Sequence, residues 1–238
     1  MQVLALITAR GGSKGLPRKN VHPFLGLPLM VWSIKAAQAA RSVTRVMVTT
    51  DDAEIASIAA EHGVDVPFIR PPELAQDLTP DLPVFQHALH WLDDRQGYRP
   101  DLVVHLRPTS PLRPRGLIDE GVRLLVADQH ADSVRSVCIP QNNPFKMWRI
   151  EAGRLAPLVA SGLPEQHNLP RQVLPTVYWQ IGALDITRPR ILLGKGSMTG
   201  DVILPIVMET GHAVDIDDIH SLRYAEDVCR RAGLEGMF

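Results

Sequence analysis

The chain has 238 residues, with 25 Lys and Arg against 26 Asp and Glu (formal net charge -1) and 45% hydrophobic residues. That length and apolar share suit one large α/β domain with a sizeable core, and the even charge gives no global attraction to nucleic acid or to an anionic membrane, so any basic site is local. Cys138 and Cys229 are too few for a disulfide framework and lack metal-ligand spacing; with no leader-like segment and no run of roughly 18 apolar residues, a soluble, cytoplasmic protein is expected.

Val3 to Ile7 is a short apolar run, long enough for one buried strand. It ends in a glycine-rich basic loop of Arg10, Gly11, Gly12, Ser13, Lys14 and Gly15. Such a backbone bends sharply and turns several N–H groups toward one point, beside cations, which describes a cradle for a polyanion. Pro17 cannot continue a helix, so the loop is expected to stay extended until Lys19 and Asn20 bring a second cation and an amide back to it. Neither GxxxxGK[ST] nor GxGxxG is present, which argues against a P-loop and a dinucleotide fingerprint.

Helical spacing of apolar residues predicts a helix over Leu29 to Ala40, and Val43 to Thr50 reads as a second buried strand. Asp51 and Asp52 follow it and are read as the cap of a helix in preference to nucleotide contacts. Val64 to Arg70 is expected to be a further strand, followed by the proline-punctuated loop PPELAQDLTPD and a helix over Leu82 to Asp94. Asp101 to Leu106 is the next strand. Its continuation RPTSPLRP sets Arg107, Thr109, Ser110 and Arg113 at a strand's carboxyl end, where open α/β sheets bind ligands. Leu117 to Ala127 reads as a helix and Ser133 to Val137 as a strand. Near the end, Val214 and Ile216 alternate with Asp215 and Asp217, so an extended backbone puts both carboxylates on one face, a pair of hard oxygen ligands suited to Mg²⁺ shared with phosphate. The nine histidines show no zinc pattern, and there is no GxSxG elbow.

ARGGSKGLPRKN, with RPTSPLR and VDIDDIHSLRYAE further on, resembles the signatures of the acylneuraminate cytidylyltransferases, enzymes that make CMP-sialic acid and its relatives. The resemblance implies a mostly parallel, Rossmann-like α/β sheet with helices on both faces, of the nucleotide-diphospho-sugar transferase type, in a single domain over residues 1–238. It implies CTP and a nine-carbon 2-keto sugar acid as substrates, Mg²⁺ as cofactor, and a homodimer formed by an excursion at about residues 140–177, opened by NNPFKMW.

Carried over position by position, Arg10, Lys19, Asp215 and Asp217 are the expected catalytic set, with the two aspartates as metal ligands. Ala9, Arg10, Gly11, Gly12, Ser13, Lys14 and Asn20 are expected to hold the nucleotide's phosphates, and Leu74, Ala75, Asp77 and Thr79 to line its base. Arg107, Thr109, Ser110, Arg171 and Gln172 are the expected sugar contacts. Four positions depart from the family's pattern: Arg107 stands for glutamine, Ile181 for asparagine, Asp185 for tyrosine and Ser221 for aspartate. Arg107 can meet the acceptor's carboxylate, turn to the phosphates, or sit salt-bridged behind the site. A legionaminic, pseudaminic or other keto-acid acceptor, GTP in place of CTP, and a nucleotide-binding regulator without turnover are the alternatives.

Overall fold

The computed structural model describes residues 1–232. In chain order these form β1 (Val3–Thr8), a short hairpin of β2 (Pro23–Phe24) and β3 (Leu27–Pro28), α1 (Leu29–Ala39), β4 (Arg45–Thr49), α2 (Ala53–Glu61), α3 (Asp81–Gln96) and β5 (Leu102–His105). There follow α4 (Leu117–Ala127), β6 (Ser133–Cys138), a hairpin of β7 (Trp148–Glu151) and β8 (Arg154–Pro157), β9 (Trp179–Thr187), β10 (Ile203–Val207) and α5 (Ile219–Ala232).

The central sheet has six strands in the order β10-β6-β9-β5-β1-β4. β1 pairs in parallel with β4 and β5, and β10 with β6, while β9 runs antiparallel to both its neighbours. The sheet is therefore mainly parallel. Alternation along β1 divides the core: Val3, Ala5 and Ile7 face α1, α2 and α4, whereas Leu4 and Leu6 face α3 through Phe85, Leu89 and Leu92. Helices thus cover both faces, and the apolar runs of β1 and β5 have no solvent side.

A third cluster packs the far end of the chain against its beginning. Val214 and Ile216, with Leu222, Ala225 and Cys229 of α5, bury themselves against Leu16, Phe24 and Trp32. This holds the segment carrying Asp215 and Asp217 beside the glycine-rich loop. Approach is close enough that a Cβ on Gly15 would run into the Asp217 carbonyl oxygen.

Two expected elements differ. Residues 64–70 form no strand, only single bridges from Met47 to Asp65 and from Thr50 to Ile69; Pro67 between them lacks the N–H a continuous ladder needs. The loop after Pro17 does not stay extended either. Arg18 adopts a left-handed conformation and Lys19–Val21 close a 3₁₀ turn, which swings Lys19 and Asn20 back over the loop. Asp52 does cap α2, accepting from the amides of Glu54 and Ile55.

The chain leaves the sheet after Cys138 and returns at Trp179. Between them the β7–β8 hairpin, turned by Ala152 and Gly153 at positive φ, exposes Trp148, Ile150 and Leu155. Among the described residues, no helix is long and apolar enough to cross a membrane.

Candidate active site

The carboxyl ends of β1 and β5 open into a cleft of about 520 Å³, with cations on several sides: Arg10, Lys14 and Lys19 from the loop, Arg70 from the bridged segment after α2 and Arg107 from beyond β5. The loop is braced from outside. The Gly11 amide donates to Asp51 (3.0 Å), Arg18 pairs with Asp52 and Glu54, and the Asn20 amide donates to the Arg10 carbonyl (2.8 Å). These bonds fix the backbone that aims Arg10 and Lys14 inward. Asp77 faces both of those side chains, bonded to Arg10 Nη1 at 2.9 Å and paired with Lys14; Lys14 first, then Arg10, hold its carboxyl below the usual range.

Arg70 is buried at the cleft's back wall and donates to the Thr49 hydroxyl (3.2 Å) and carbonyl. Burial pushes its pKa down to about 10, so it remains a full charge at neutral pH. Lys19 is paired with Asp217 at 2.9 Å, and Asp217 lines the same cleft. Asp215 keeps an exposed side, yet partial burial of its carboxyl pushes its pKa up, and Asp217 adds to this against the Thr109 hydrogen bond and the charges of Lys19 and Arg107. Two carboxylates that repel one another in this way fit a divalent cation. Among the described residues, no three His, Cys, Asp or Glu side chains gather to hold a metal, so a cation here needs further oxygens from the substrate.

Arg107 has a different surrounding. Its Nη1 bonds Asp185 Oδ2 at 2.5 Å and its Nη2 bonds Asp81 Oδ2 at 3.0 Å. Asp185 is buried on β9 and stands between Arg107 and Arg135 Nε, 3.3 Å from its other oxygen. His105, Asp185 and Arg135 are direct cross-strand neighbours on β5, β9 and β6, forming a polar row across the sheet that ends in Arg107. Gly182 makes room for it, since a Cβ there would come 2.6 Å from Ser110 Oγ and 3.1 Å from Arg107 Cδ. Burial first, then the Arg107 charge, push the His105 pKa down to about 3, leaving a neutral ring bonded to Thr8 Oγ1 at 3.1 Å.

The cleft brings together Arg10, Ser13, Lys14, Lys19 and Asn20 of the loop. From the base stretch it gathers Leu74, Asp77 and Thr79, and from beyond β5 Arg107 and Thr109. It does not gather the rest. Ala9 is buried and its amide is spent on Thr49, the Gly11 amide on Asp51, and Gly12, Ala75 and Asp215 lie off the cleft wall, Asp215 on that of a neighbouring cavity. Ser110 points into the interior. Arg113 is buried too, donating to Ala183 and Arg107 carbonyls and to Ser33 Oγ, so it is a structural cation. Arg171 and Gln172 lie in a separate small recess, where the Arg171 guanidinium donates to the carbonyls of Pro140 and Gln141. Sequence reasoning missed Thr8, Arg70 and Asp81; Arg70 closes an apolar run at the sheet's carboxyl edge, and that position was the available signal.

Five cationic side chains against Asp77, Asp81 and Asp217, at the carboxyl edge of an open α/β sheet, give a cleft whose charge fits a polyphosphate, as in nucleotide-binding α/β proteins. Residues 4–139, more than half of the chain, match the cytidylyltransferase family model, and the chain belongs to that family. It is 30% identical to the N-acylneuraminate cytidylyltransferase of Escherichia coli O18:K1:H7 over 91% of this chain and 49% of that protein. It is 35% identical to a pseudaminic acid cytidylyltransferase of Campylobacter jejuni over 54% of this chain and 55% of that one. Each alignment thus spans about half the relative's length. In fold the chain is similar to a CMP:2-keto-3-deoxy-manno-octonic acid synthetase solved with CTP, with a TM-score of 0.71 at 12% identity, covering 98% of this chain and 100% of that one.

Proposed function

We propose that the chain transfers the cytidylyl group of CTP to the anomeric hydroxyl of a sialic-acid-like, nine-carbon 2-keto sugar acid, releasing pyrophosphate. The observation that carries this reading is the convergence of Arg10, Lys14, Lys19 and Arg70 on one cleft bordered by Asp217 and reaching Arg107. The acceptor oxygen forms a bond to the α-phosphorus as the bond to the bridging oxygen of the β-phosphate breaks. The electron pair leaves on pyrophosphate, and the hydroxyl proton passes to solvent.

Arg10, Lys14 and Lys19 neutralise the triphosphate and the charge that grows on the departing pyrophosphate. To do so Arg10 and Lys14 exchange Asp77, and Lys19 exchanges Asp217, for phosphate oxygens. Arg70 sets a fixed charge beside Leu74, in the stretch proposed for the base. Asp215 and Asp217 would hold Mg²⁺, which when bound screens the phosphates and lowers the pKa of a hydroxyl beside it. Arg107, anchored on Asp81 and Asp185, keeps further N–H groups for the acceptor's carboxylate. The exposed apolar side chains Trp148, Ile150 and Leu155 support an excursion that makes a homodimer.

Pyrophosphate release across a panel of nucleoside triphosphates and keto sugar acids tests the reading. CTP with at least one nine-carbon acid is expected to give release; release from GTP in place of CTP, or from no combination, overturns it.

A further inference from the structure

The cationic cleft has two unlike sides. Its loop side carries Arg10, Lys14 and Lys19, whereas the side toward α3 is made by Thr8, Arg70, Leu74, Asp81 and Val84. Thr8 closes β1 two residues beyond Leu6 and so shares the face that packs on α3, where His105, the cross-strand partner of Leu6, lies against Phe85. His105 is buried, and its two ring nitrogens have different neighbours. Nε2 is 3.1 Å from Thr8 Oγ1, within hydrogen-bond reach, while Nδ1 is buried, makes no hydrogen bond, and lies 4.0 Å from Asp81 Oδ2. Asp81 is bonded to Arg107 at 3.0 Å and stays ionised. A neutral imidazole carries one proton, and its place decides what Thr8 presents to the cleft. With the proton on Nε2, the Nδ1 lone pair would face a carboxylate with no hydrogen between them. With the proton on Nδ1, the N–H turns its positive end to Asp81, and Nε2 accepts from the Thr8 hydroxyl. The second tautomer is the lower in energy. It spends the only proton of the Thr8 hydroxyl on the ring and leaves its oxygen an acceptor.

We infer that His105 is a positioning residue that fixes the Thr8 hydroxyl as a hydrogen-bond acceptor in the cleft, and that this acceptor selects a pyrimidine with an amino group at C4 over one with an oxo group there. The inference rests on the cytidylyl-transfer reading and deepens it by naming how the nucleotide's base is chosen. The loop cations are the side proposed for the triphosphate, which leaves the α3 side for the base. Leu74 and Val84 there offer apolar contact to a flat ring, and Arg70 offers only donors. An aminopyrimidine presents N–H donors at C4 beside acceptors at N3 and O2, so it gives to Thr8 Oγ1 and takes from a guanidinium. An oxopyrimidine reverses the pattern: its O4 meets the Thr8 oxygen with no proton between them, and its N3–H meets a donor. Asp81, whose ionised carboxyl has no proton to give, sharpens the same choice.

Calorimetric titration of the protein with CTP and with UTP, in the presence of Mg²⁺ and without a sugar acid, reads this choice apart from turnover. Wild type is expected to bind CTP at least about tenfold more tightly than UTP. Thr8→Val keeps the shape of the side chain without its hydroxyl and should bring the ratio toward one through weaker CTP binding, whereas Thr8→Ser should keep it. His105→Leu frees the Thr8 proton to turn toward O4 of uracil, so the ratio should fall chiefly because UTP binding tightens, a gain that lost packing alone does not produce. His105→Gln, whose amide oxygen replaces Nε2 as acceptor, should restore the selection. A wild-type ratio near one, or a ratio unmoved by both Thr8→Val and His105→Leu, would overturn the inference, and CTP binding with pyrophosphate release would leave the cytidylyl-transfer reading standing. Equal weakening of both nucleotides in every variant would overturn it too, since the row would then serve the fold alone. Binding of neither nucleotide to the wild type would remove the inference and the reading together.

Discussion

Arg107 and Asp185 each depart from the pattern of the family that the sequence resembles, and they depart together: the guanidinium of one bonds the carboxylate of the other at 2.5 Å. The arginine beyond the end of β5 and the aspartate on β9 thus form one charged pair. Asp185 is 2% exposed and would be an uncompensated buried charge without Arg107 and Arg135. Arg107 is thus salt-bridged, but it is not behind the site, since it also lines the cleft.

This pairing predicts a non-additive cycle. Arg107→Gln and Asp185→Tyr should each cost about 2 kcal/mol or more, because each strands a charge in a poorly hydrated place. The double variant should recover a good part of that loss. Urea denaturation of the four proteins measures the coupling, and additive losses would show that the pair does not act as a unit. In the kinetic counterpart, Arg107→Gln should raise the KM for the sugar acid and leave that for CTP nearly constant.

Arg10→Ala and Lys19→Ala should each lower turnover about a hundredfold while folding stability changes by about 1 kcal/mol at most. Both side chains pair with exposed carboxylates, so little of the core depends on them. Steady-state rates beside melting curves check this. A stable Arg10→Ala protein with unchanged kcat and KM would remove the loop from the reaction.

Much of this layout was legible in the sequence because its signals are local. The apolar runs of β1 and β5 and the cluster of cations in the glycine-rich loop each encode their placement within a few residues, whereas Asp215 and Asp217, expected on one face, line two neighbouring cavities. What was not legible depends on pairing across the chain. Val64 to Arg70 had the composition of a strand, yet Pro67 reduces it to single bridges. Arg113 looked like a site residue from its place beyond β5, but its fate was decided by carbonyls of Ala183 and Arg107. Likewise Arg171 carried a family signature while its recess lies away from the cleft.

Asp215→Asn and Asp217→Asn should each lower activity sharply, with part of it recovered at raised Mg²⁺, because an amide keeps an oxygen ligand and loses the charge. Ser221, not either of these aspartates, makes the hydrogen bonds to the amides of Asp217 and Asp218 at the start of α5, so melting temperature should hardly move. Rates measured against Mg²⁺ concentration decide the matter, and unaltered curves in both variants would exclude the metal-ligand role.

His105 predicts a pH dependence of stability. Its folded pKa of about 3 lies below its ordinary 6.5, so between those values the unfolded chain binds a proton that the folded one refuses. The stabilisation is complete above about pH 6.5 and is lost as the pH falls toward about 3, at a rate on the order of 1 kcal/mol per pH unit. Replacing His105 by Gln should flatten that slope in denaturation experiments between about pH 6 and about pH 4. Parallel curves for the two proteins would mean that His105 is protonated in the folded state.

Attack of an acceptor hydroxyl on the α-phosphorus of CTP can be followed by isotope tracing. A keto sugar acid labelled with ¹⁸O at its anomeric hydroxyl is incubated with CTP and Mg²⁺, and the products are analysed by mass spectrometry. The label is expected to stay in the oxygen bridging sugar and phosphorus of the CMP-sugar, with pyrophosphate unlabelled. Label lost to water, or products of CDP and inorganic phosphate, would contradict it.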